Sequence, residues 1–267
     1  MDLSEFPGHW AVVTGASAGI GCEFARQLAA LGWNVVLVAR RNELDDLAME
    51  LENRHRIQAV AIKLDLSDPG AAKQLRETLE ARSIRIRLLC NNAATGHIGH
   101  FEGQPTEDYE RMILLNTVAV VTMCREFREH LVSYSTSAII NVSSQAAYQP
   151  IPYMAVYAAT KAFVHSFSQA LFYEWQKDGV VVQTLVPGPT ATEFDAKSSD
   201  YEIKVAARGN PSDVVRKSLN GLRRGGPIVT NASGLFKQRI LSALVPPKTL
   251  LREVAKLFRP PDESKVR

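Results

Sequence analysis

Short, nearly unbroken apolar runs alternate along this chain with longer stretches whose apolar positions recur every three or four residues. The runs are Trp10–Thr14, Asn34–Val38, Ala59–Ile62, Arg87–Cys90, Ala138–Val142, Val180–Val186 and Pro227–Val229. A strand that is apolar on both faces belongs in a parallel sheet covered by helices on both sides. The intervening periodicity predicts helices over 20–31, 42–55, 68–82, 107–132, 155–177 and 211–223. Asp68 followed by Pro69 reads as an N-cap with proline in the first turn. Gly32 and Gly179 read as helix stops. Strand–helix–strand units of this length require right-handed crossovers, and their economical packing is an open, doubly wound α/β sheet.

Two stretches break the rhythm. Residues 188–210 are rich in Gly, Pro, Thr, Ser and charge. They follow a strand and so project from its carboxyl end, where ligands of α/β proteins bind; the expectation is a substrate lid. Residues 235–258 predict two short amphipathic helices broken by Pro246 and Pro247. We therefore expect one domain over 1–234 and a helical extension over 235–267. The extension would cover the pocket edge, contact a partner or lie on a membrane surface, with the pocket edge preferred.

Composition narrows the classes. The chain has 267 residues, 46% of them hydrophobic, which suits one large globular domain. The net charge of +3 is mild. There is no basic run with interleaved aromatics, so nucleic acid is not an expected partner. Short arginine pairs such as Arg40–Arg41 point instead to a local need for positive charge. The cysteines, Cys22, Cys90 and Cys124, are three and far apart, which argues against a disulfide framework or a metal site. His97 and His100 lie three apart in a glycine-rich loop with no third ligand nearby, so no metal is expected. The N-terminus lacks a basic stretch followed by an apolar one, and no apolar run reaches 18 residues. A cytoplasmic protein is expected.

The first run leads directly into Thr14-Gly15-Ala16-Ser17-Ala18-Gly19-Ile20-Gly21. Glycines at 15, 19 and 21 allow a tight turn and close backbone approach, and the helix that follows aims its N-terminus at the same space. That arrangement suits a pyrophosphate. After the second run come Arg40 and Arg41, where an NAD site normally places an acid for the ribose 2′-hydroxyl. Guanidinium groups match a 2′-phosphate, so NADP(H) is the expected cofactor, with Arg40 as first contact and Ser17 beside it. Asp65 and Leu66 would border the adenine. Asn91-Asn92-Ala93-Ala94 would let the chain pass close to a ribose.

Ser143 follows the fifth run. Tyr157 and Lys161 are four residues apart on the next predicted helix, which puts them on one face. Hydride transfer needs a proton donor or acceptor at the carbonyl oxygen. A tyrosine serves if its pKa of about 10 is lowered, and a nearby ammonium does that. Ser143 would hold the substrate oxygen. Tyr148 and Tyr153 lack this lysine and read as pocket walls. No Gly-x-Ser-x-Gly elbow surrounds Ser143, so a serine hydrolase is not indicated.

Taken together, TGASAGIG at 14–21, DL at 65–66, NNAA at 91–94, Asn116, Ser143, YAATK at 157–161 and PGPTATEF at 187–194 resemble the short-chain dehydrogenase/reductase family. The resemblance covers about residues 8–230. It implies a Rossmann-like, doubly wound, seven-stranded parallel sheet. It implies that Asn116 is a helix-kink residue holding a water in a proton relay and that Ser143 positions the substrate. It implies Tyr157 as the acid/base and Lys161 as the ribose ligand that lowers the tyrosine pKa. Gly15, Ser17, Ala18, Gly19, Ile20, Gly21, Arg40, Arg41, Asp65, Leu66, Asn92, Ala93, Pro187, Gly188, Thr190 and Thr192 would complete the cofactor site. Two positions depart from the pattern. Ala94 stands where many members have glycine, and Ala18 where some NADP-preferring members carry a basic residue. The tail resembles that of general-purpose bacterial reductases and also of long-chain ketoacyl reductases and hydroxysteroid dehydrogenases.

The resulting expectation is an NADPH-dependent reductase of a small carbonyl compound, acting reversibly and assembled as a homodimer or homotetramer. Helices around 107–132 and 155–177 would build the assembly, with Phe163, Phe167, Leu171 and Phe172 in the apolar contact. A 3-ketoacyl thioester or hydroxysteroid oxidoreductase is the close alternative. A non-catalytic NADP(H)-binding scaffold or sensor is the alternative of another class. Met154, Phe194, Tyr201 and the tail are candidate pocket residues, and the substrate itself stays open.

Overall fold

The computed structural model describes residues 1–41, 43–194, 198–199, 208–232, 240, 242 and 244–261. Seven strands form one sheet: β1 (Trp10–Thr14), β2 (Asn34–Ala39), β3 (Ala59–Lys63), β4 (Ile86–Asn91), β5 (Ser137–Val142), β6 (Val180–Val186) and β7 (Ile228–Thr230). Their order is β3-β2-β1-β4-β5-β6-β7, and every pairing is parallel. The chain winds outward in one direction from β1 and in the other from β4. The loops leaving these two strands therefore diverge and leave a crevice at the carboxyl end of the sheet.

Strand alternation divides the core between the two faces. Ala11, Val13, Val35, Leu37, Leu88 and Cys90 point to one side. There they pack with Phe24 and Leu28 of α1 (Gly19–Ala30), Leu44 and Leu51 of α2 (Leu44–His55), and Val214 and Leu222 of α8 (Pro211–Arg224). Val12, Val36, Val38, Leu89, Ile139 and Val182 point to the other side. They meet Leu75 and Leu79 of α3 (Ala71–Ala81), Met123 of α5 (Ala119–Glu126), and Val164 and Leu171 of α7 (Ala155–Trp175). Fully burying each such aliphatic side chain is worth about 2 kcal/mol, and the parallel pairing sets Val12 opposite Val36 on one side and Leu89 on the other.

Several predicted boundaries shift for identifiable reasons. α3 starts at Ala71, not at Asp68: Gly70 precedes it in the left-handed region at φ +81°, and Asp68 and Pro69 form the turn before it. The single helix predicted over 107–132 is three helices and a wide turn. α4 (Thr106–Ile113) runs into a π-turn at Leu114–Val118, then α5, then α6 (Arg128–Val132). Apolar periodicity cannot register one extra residue in a turn, which is why the periodicity reads straight through it; the kink that the resemblance implies at Asn116 falls in this turn. Gly32 and Gly179 do stop their helices, at φ +81° and +74°. Ala94 is not among the positive-φ residues, so alanine is tolerated where glycine is common.

Helix α9 (Pro247–Phe258) starts at the second proline and folds back onto the carboxyl end of the sheet. Its Leu250 and Val254 join Ile98, Met112, Ile151, Met154 and Tyr157 in a third apolar cluster. The other predicted tail helix falls largely outside the described residues, as do Tyr201 and about half of the predicted lid, 195–197 and 200–207. Of the expected contact residues on α7, Phe163 is exposed, Phe167 and Phe172 are half-buried, and Leu171 is buried in the core. Leu171 is therefore not a surface residue. No described helix is long and apolar enough to cross a membrane.

Candidate active site

A cleft of about 850 Å³ runs along the carboxyl ends of the strands. The loop after β1 forms its floor. Gly15 and Gly19 take φ of +65° and +55°, conformations that favour glycine. Space is as tight as torsion: a Cβ on Gly15 would lie 2.8 Å from the Asn92 amide and 2.9 Å from Ala93 Cα. On Gly21 it would lie 2.2 Å from the Gly15 carbonyl oxygen. The glycines thus let the first turn of α1, the turn before it and the loop after β4 close on one another. Ala18, at the N-cap, provides no side-chain acceptor for the backbone N–H groups of the first turn.

Thr14 fastens this arrangement. Its hydroxyl donates to the Cys90 carbonyl (3.2 Å) and accepts from the backbone N–H groups of Asn92 (2.9 Å) and Ala93 (3.0 Å). Asn92 returns a bond from its side-chain amide to the Thr14 carbonyl at 2.9 Å. Deeper, the Asn91 amide donates to Asn141 (2.8 Å), whose own amide donates to Ser168 (2.9 Å). This buried ladder joins β4, β5 and α7.

At the basic end, Arg40 reaches Asp65 (3.4 Å) and Arg41 reaches Glu193 (3.1 Å). Burial alone would raise the Asp65 carboxyl. Hydrogen bonds from the Ser67 hydroxyl and backbone N–H, together with the Arg40 guanidinium, instead hold it below the ordinary carboxylate range. Both Asp65 oxygens thus already accept bonds within the protein.

The opposite end holds Ser143, Tyr157 and Lys161. Ser143 leaves β5, while Tyr157 and Lys161 lie one turn apart on α7. Lys161 is only 3% exposed, and its ammonium donates to the Val142 carbonyl at 2.9 Å. Burial lowers its pKa from 10.5 to about 8. Its Nζ lies 5.8 Å from the centre of the Tyr157 ring, which packs against Phe194 at 5.1 Å. The Ser143 hydroxyl donates to the Lys161 carbonyl at 2.8 Å. Ile98, Ile151, Met154, Phe194, Leu257 and Phe258 line this end of the cleft.

The fold gathers nearly all the predicted residues into one wall. Gly15, Ser17, Ala18, Gly19, Ile20, Arg40, Arg41, Asp65, Leu66, Asn92, Ala93, Pro187, Gly188, Thr190 and Thr192 line the cleft with Ser143, Tyr157 and Lys161. Gly21 and Asn116 do not. The Asn116 carboxamide, in the π-turn, accepts from the Thr95 N–H (3.0 Å) and donates to the Thr95 carbonyl (2.8 Å) and Thr160 hydroxyl (3.1 Å). Its side chain is therefore bonded to the protein and does not face the cleft. Tyr148 and Tyr153 are not walls either: Tyr148 packs on His165 and Tyr153 on His100.

Asn231, just after β7, escaped sequence reasoning. It lines the cleft and accepts from the Gly188 N–H at 3.1 Å, holding the loop after β6. Neither a motif nor a periodicity marks an asparagine there. Thr14 did carry a signal, a hydroxyl ending an otherwise apolar strand. Among the described residues, no group of three or more His, Cys, Asp or Glu is placed to hold a metal ion.

Comparison with known proteins agrees with this geometry. The very-long-chain 3-oxoacyl-CoA reductase of Bos taurus is 33% identical over 192 residues, 70% of this chain and 61% of the relative. The chain therefore matches less than two thirds of that relative's length. The 17-beta-hydroxysteroid dehydrogenase type 3 of Mus musculus is 34% identical over 79% of this chain and 68% of its own. Among solved structures, a short-chain dehydrogenase from Sphingobium yanoikuyae in complex with NADPH superposes with a TM-score of 0.79 at 30% identity, covering 89% of this chain and 96% of that one. Residues 9–202 match the short chain dehydrogenase family, and this chain belongs to it.

Proposed function

We propose that this protein interconverts a carbonyl compound and its alcohol using NADP(H), with Tyr157 exchanging the proton at the substrate oxygen. One observation carries the reading. A single cleft joins a glycine cradle with two arginines at one end to Ser143, Tyr157 and a buried Lys161 at the other. The cradle fits a dinucleotide, because Gly15 and Gly19 line the cleft without side chains where the first turn of α1 has no side-chain cap on its backbone N–H groups. The structurally similar Sphingobium enzyme is in complex with NADPH.

In this reading Ser17, Arg40 and Arg41 hold the 2′-phosphate, and Leu66 borders the adenine beside Asp65. Gly19, Ile20 and Thr192 face the pyrophosphate. Asn92, Ala93, Pro187, Gly188 and Thr190 line the path toward the nicotinamide, which supplies or accepts the hydride when bound. Lys161 has three donors and gives one to Val142. The others serve the ribose hydroxyls, and its positive charge favours the ionised form of the Tyr157 phenol. Ser143 holds the substrate oxygen after turning its hydroxyl away from the Lys161 carbonyl. Gly21 acts from behind by closing the glycine turn. Asn116 acts from behind too. Its side chain is bonded to Thr95 and Thr160, so we assign it the positioning of the Thr95 loop and of α7.

The catalytic end is lined by large apolar side chains, which favours a bulky, largely apolar ketone over a polyhydroxylated one. Residues 1–234 would then carry coenzyme and chemistry, and the extension over 235–267 would close the pocket edge through α9. Exposed apolar side chains on α4, the π-turn and α7, among them Ile113, Leu114, Val118 and Phe163, support a homo-oligomer built on these helices. Free thiols at Cys22, Cys90 and Cys124 fit a reducing compartment such as the cytoplasm.

The test is NADPH oxidation across matched sets of 3-ketoacyl thioesters, ketosteroids, aldehydes and sugar ketones, with NADH as control. Turnover on the apolar ketones with NADPH preferred is the expected result. Tight NADPH binding with no turnover on any set would replace this reading with a coenzyme-binding scaffold.

A further inference from the structure

Glu193 lies on the loop after β6, and Arg41 follows β2. The order β2-β1-β4-β5-β6 puts four strand spacings, roughly 19 Å, between those two strands. Yet the Arg41 guanidinium and the Glu193 carboxylate are 3.1 Å apart. The β6 loop therefore reaches back across the crevice as a strap. It passes over the start of α1, where the Thr192 methyl lies 3.0 Å from the position a Cβ on Gly19 would occupy. Glu193 is where the strap meets the basic rim, while the strap itself is held by the backbone bonds of Ala191 to Gly209 (2.9 Å) and of Gly209 to Pro189 (2.8 Å).

The two arginines of that rim face two carboxylates, so the four formal charges cancel. A 2′-phosphate brings close to two further negative charges. One carboxylate must give way or be opposed, and the two are not equivalent. Asp65 is tied down by the Ser67 hydroxyl (2.6 Å) and backbone N–H (3.0 Å). The Asp65 side chain is 23% exposed, whereas that of Glu193 is 57% exposed and sits on a loop. An exposed pair of this kind is weak enough to exchange partners readily.

Resting on the reading that Arg40 and Arg41 bind the 2′-phosphate, we propose that Glu193 is a coenzyme-selectivity residue. Its carboxylate holds Arg41 in the free protein and is displaced by the 2′-phosphate of NADP(H). It thereby opposes binding of the phosphorylated coenzyme, speeds its release, and leaves NAD(H) unaffected.

The experiment is fluorescence titration and stopped-flow release of NADPH and NADH with the full chain, the E193Q variant, the R41Q variant and the double variant. In E193Q the Kd for NADPH falls two- to fivefold, the range set by an exposed ion pair, and its release slows by a similar factor. The Kd for NADH is unchanged. In the R41Q background, Glu193→Gln loses most of this effect. An unchanged or weaker NADPH affinity in E193Q overturns the proposal, as does equal tightening of both coenzymes or an undiminished gain in the double variant. If R41Q leaves the NADPH-to-NADH ratio unmoved while E193Q behaves in any way, the phosphate reading of Arg41 fails and the proposal falls with it. If R41Q shifts that ratio and E193Q does not, only the role of Glu193 is lost.

Discussion

Lys161 is a buried cation whose ammonium donates to the Val142 carbonyl, and its replacement separates catalysis from stability. In the unfolded chain its pKa is 10.5; in the fold, burial lowers it to about 8. The sign follows from proton counting. Between these two values the unfolded chain holds a proton that the folded protein has lost, so stability rises with pH across that window and is lower below it. Each pH unit inside the window corresponds to about 1.4 kcal/mol, and between pH 7 and pH 10 the difference integrates to about 2.5 kcal/mol. Lys161→Met fills a similar volume and does not titrate. Urea unfolding without coenzyme at pH 7, 8, 9 and 10 gives the stability difference, with Tyr157→Phe present in both proteins so that the phenol coupled to Lys161 does not titrate. The protein with Lys161 should gain about 2.5 kcal/mol on the one with methionine across that range. With Tyr157 in place, Lys161→Met should also lose turnover at every pH. A difference that stays flat with pH would refute the account of a lysine kept charged against its burial.

Other perturbations probe the rest of the site. Tyr157→Phe should abolish turnover while NADPH affinity by titration stays near the wild-type value; a parallel loss of binding would remove its role as proton donor. Arg40→Asp should move coenzyme preference toward NADH, since it removes the cation and adds an acid beside Asp65; unchanged selectivity would exclude Arg40 as the discriminator. Gly21→Ala places a methyl 2.2 Å from the Gly15 carbonyl oxygen and should destabilise by about 1–3 kcal/mol, lowering Tm and weakening NADPH together. Gly225→Ala meets open space, and its φ of +65° should cost only about 1–2 kcal/mol with binding intact. Equal effects of the two on NADPH would refute the steric argument. Acid should destabilise the fold through His9 and His130. Burial, helped at His9 by Arg87 and at His130 opposed by Glu80, lowers both pKa values below 6.5. The unfolded chain therefore takes up protons that the fold resists as pH drops below about 6.5. His130→Asn should flatten the fall in Tm between pH 7 and 5, and an unaltered slope would exclude that contribution.

Much of the architecture was legible in one dimension because it depends on local rules. A strand apolar on both faces, such as Val35–Val38, has no stable place except a covered parallel sheet. A glycine turn between β1 and α1 has its conformation set by the absence of side chains. Tyr157 and Lys161 meet because a helix repeats every 3.6 residues. The arginines after β2 lead to the expectation of an anion because no acid stands in their place.

What remained hidden depends on which distant elements touch. The π-turn at Leu114–Val118 changes the phase of a helix by one residue without changing its composition, so apolar periodicity missed it and only the resemblance marked a kink at Asn116. Asn116 bonds to Thr95 and Thr160, and only packing decides that its carboxamide is committed to the protein and not to the cleft. Tyr148 and Tyr153 have the chemistry of pocket walls, but in the fold they pack onto His165 and His100. Asn231 holds Gly188, and Glu193 reaches Arg41 across 152 positions of chain. From sequence alone one could read the folding pattern, the glycine turn after β1 and the placing of Tyr157 and Lys161 on one helix face, each encoded by neighbours in the chain. The tertiary structure decided the apolar wall contributed by α9, the strap over the cradle and the burial that shifts Lys161, because each arises where segments far apart in sequence exclude water from one another.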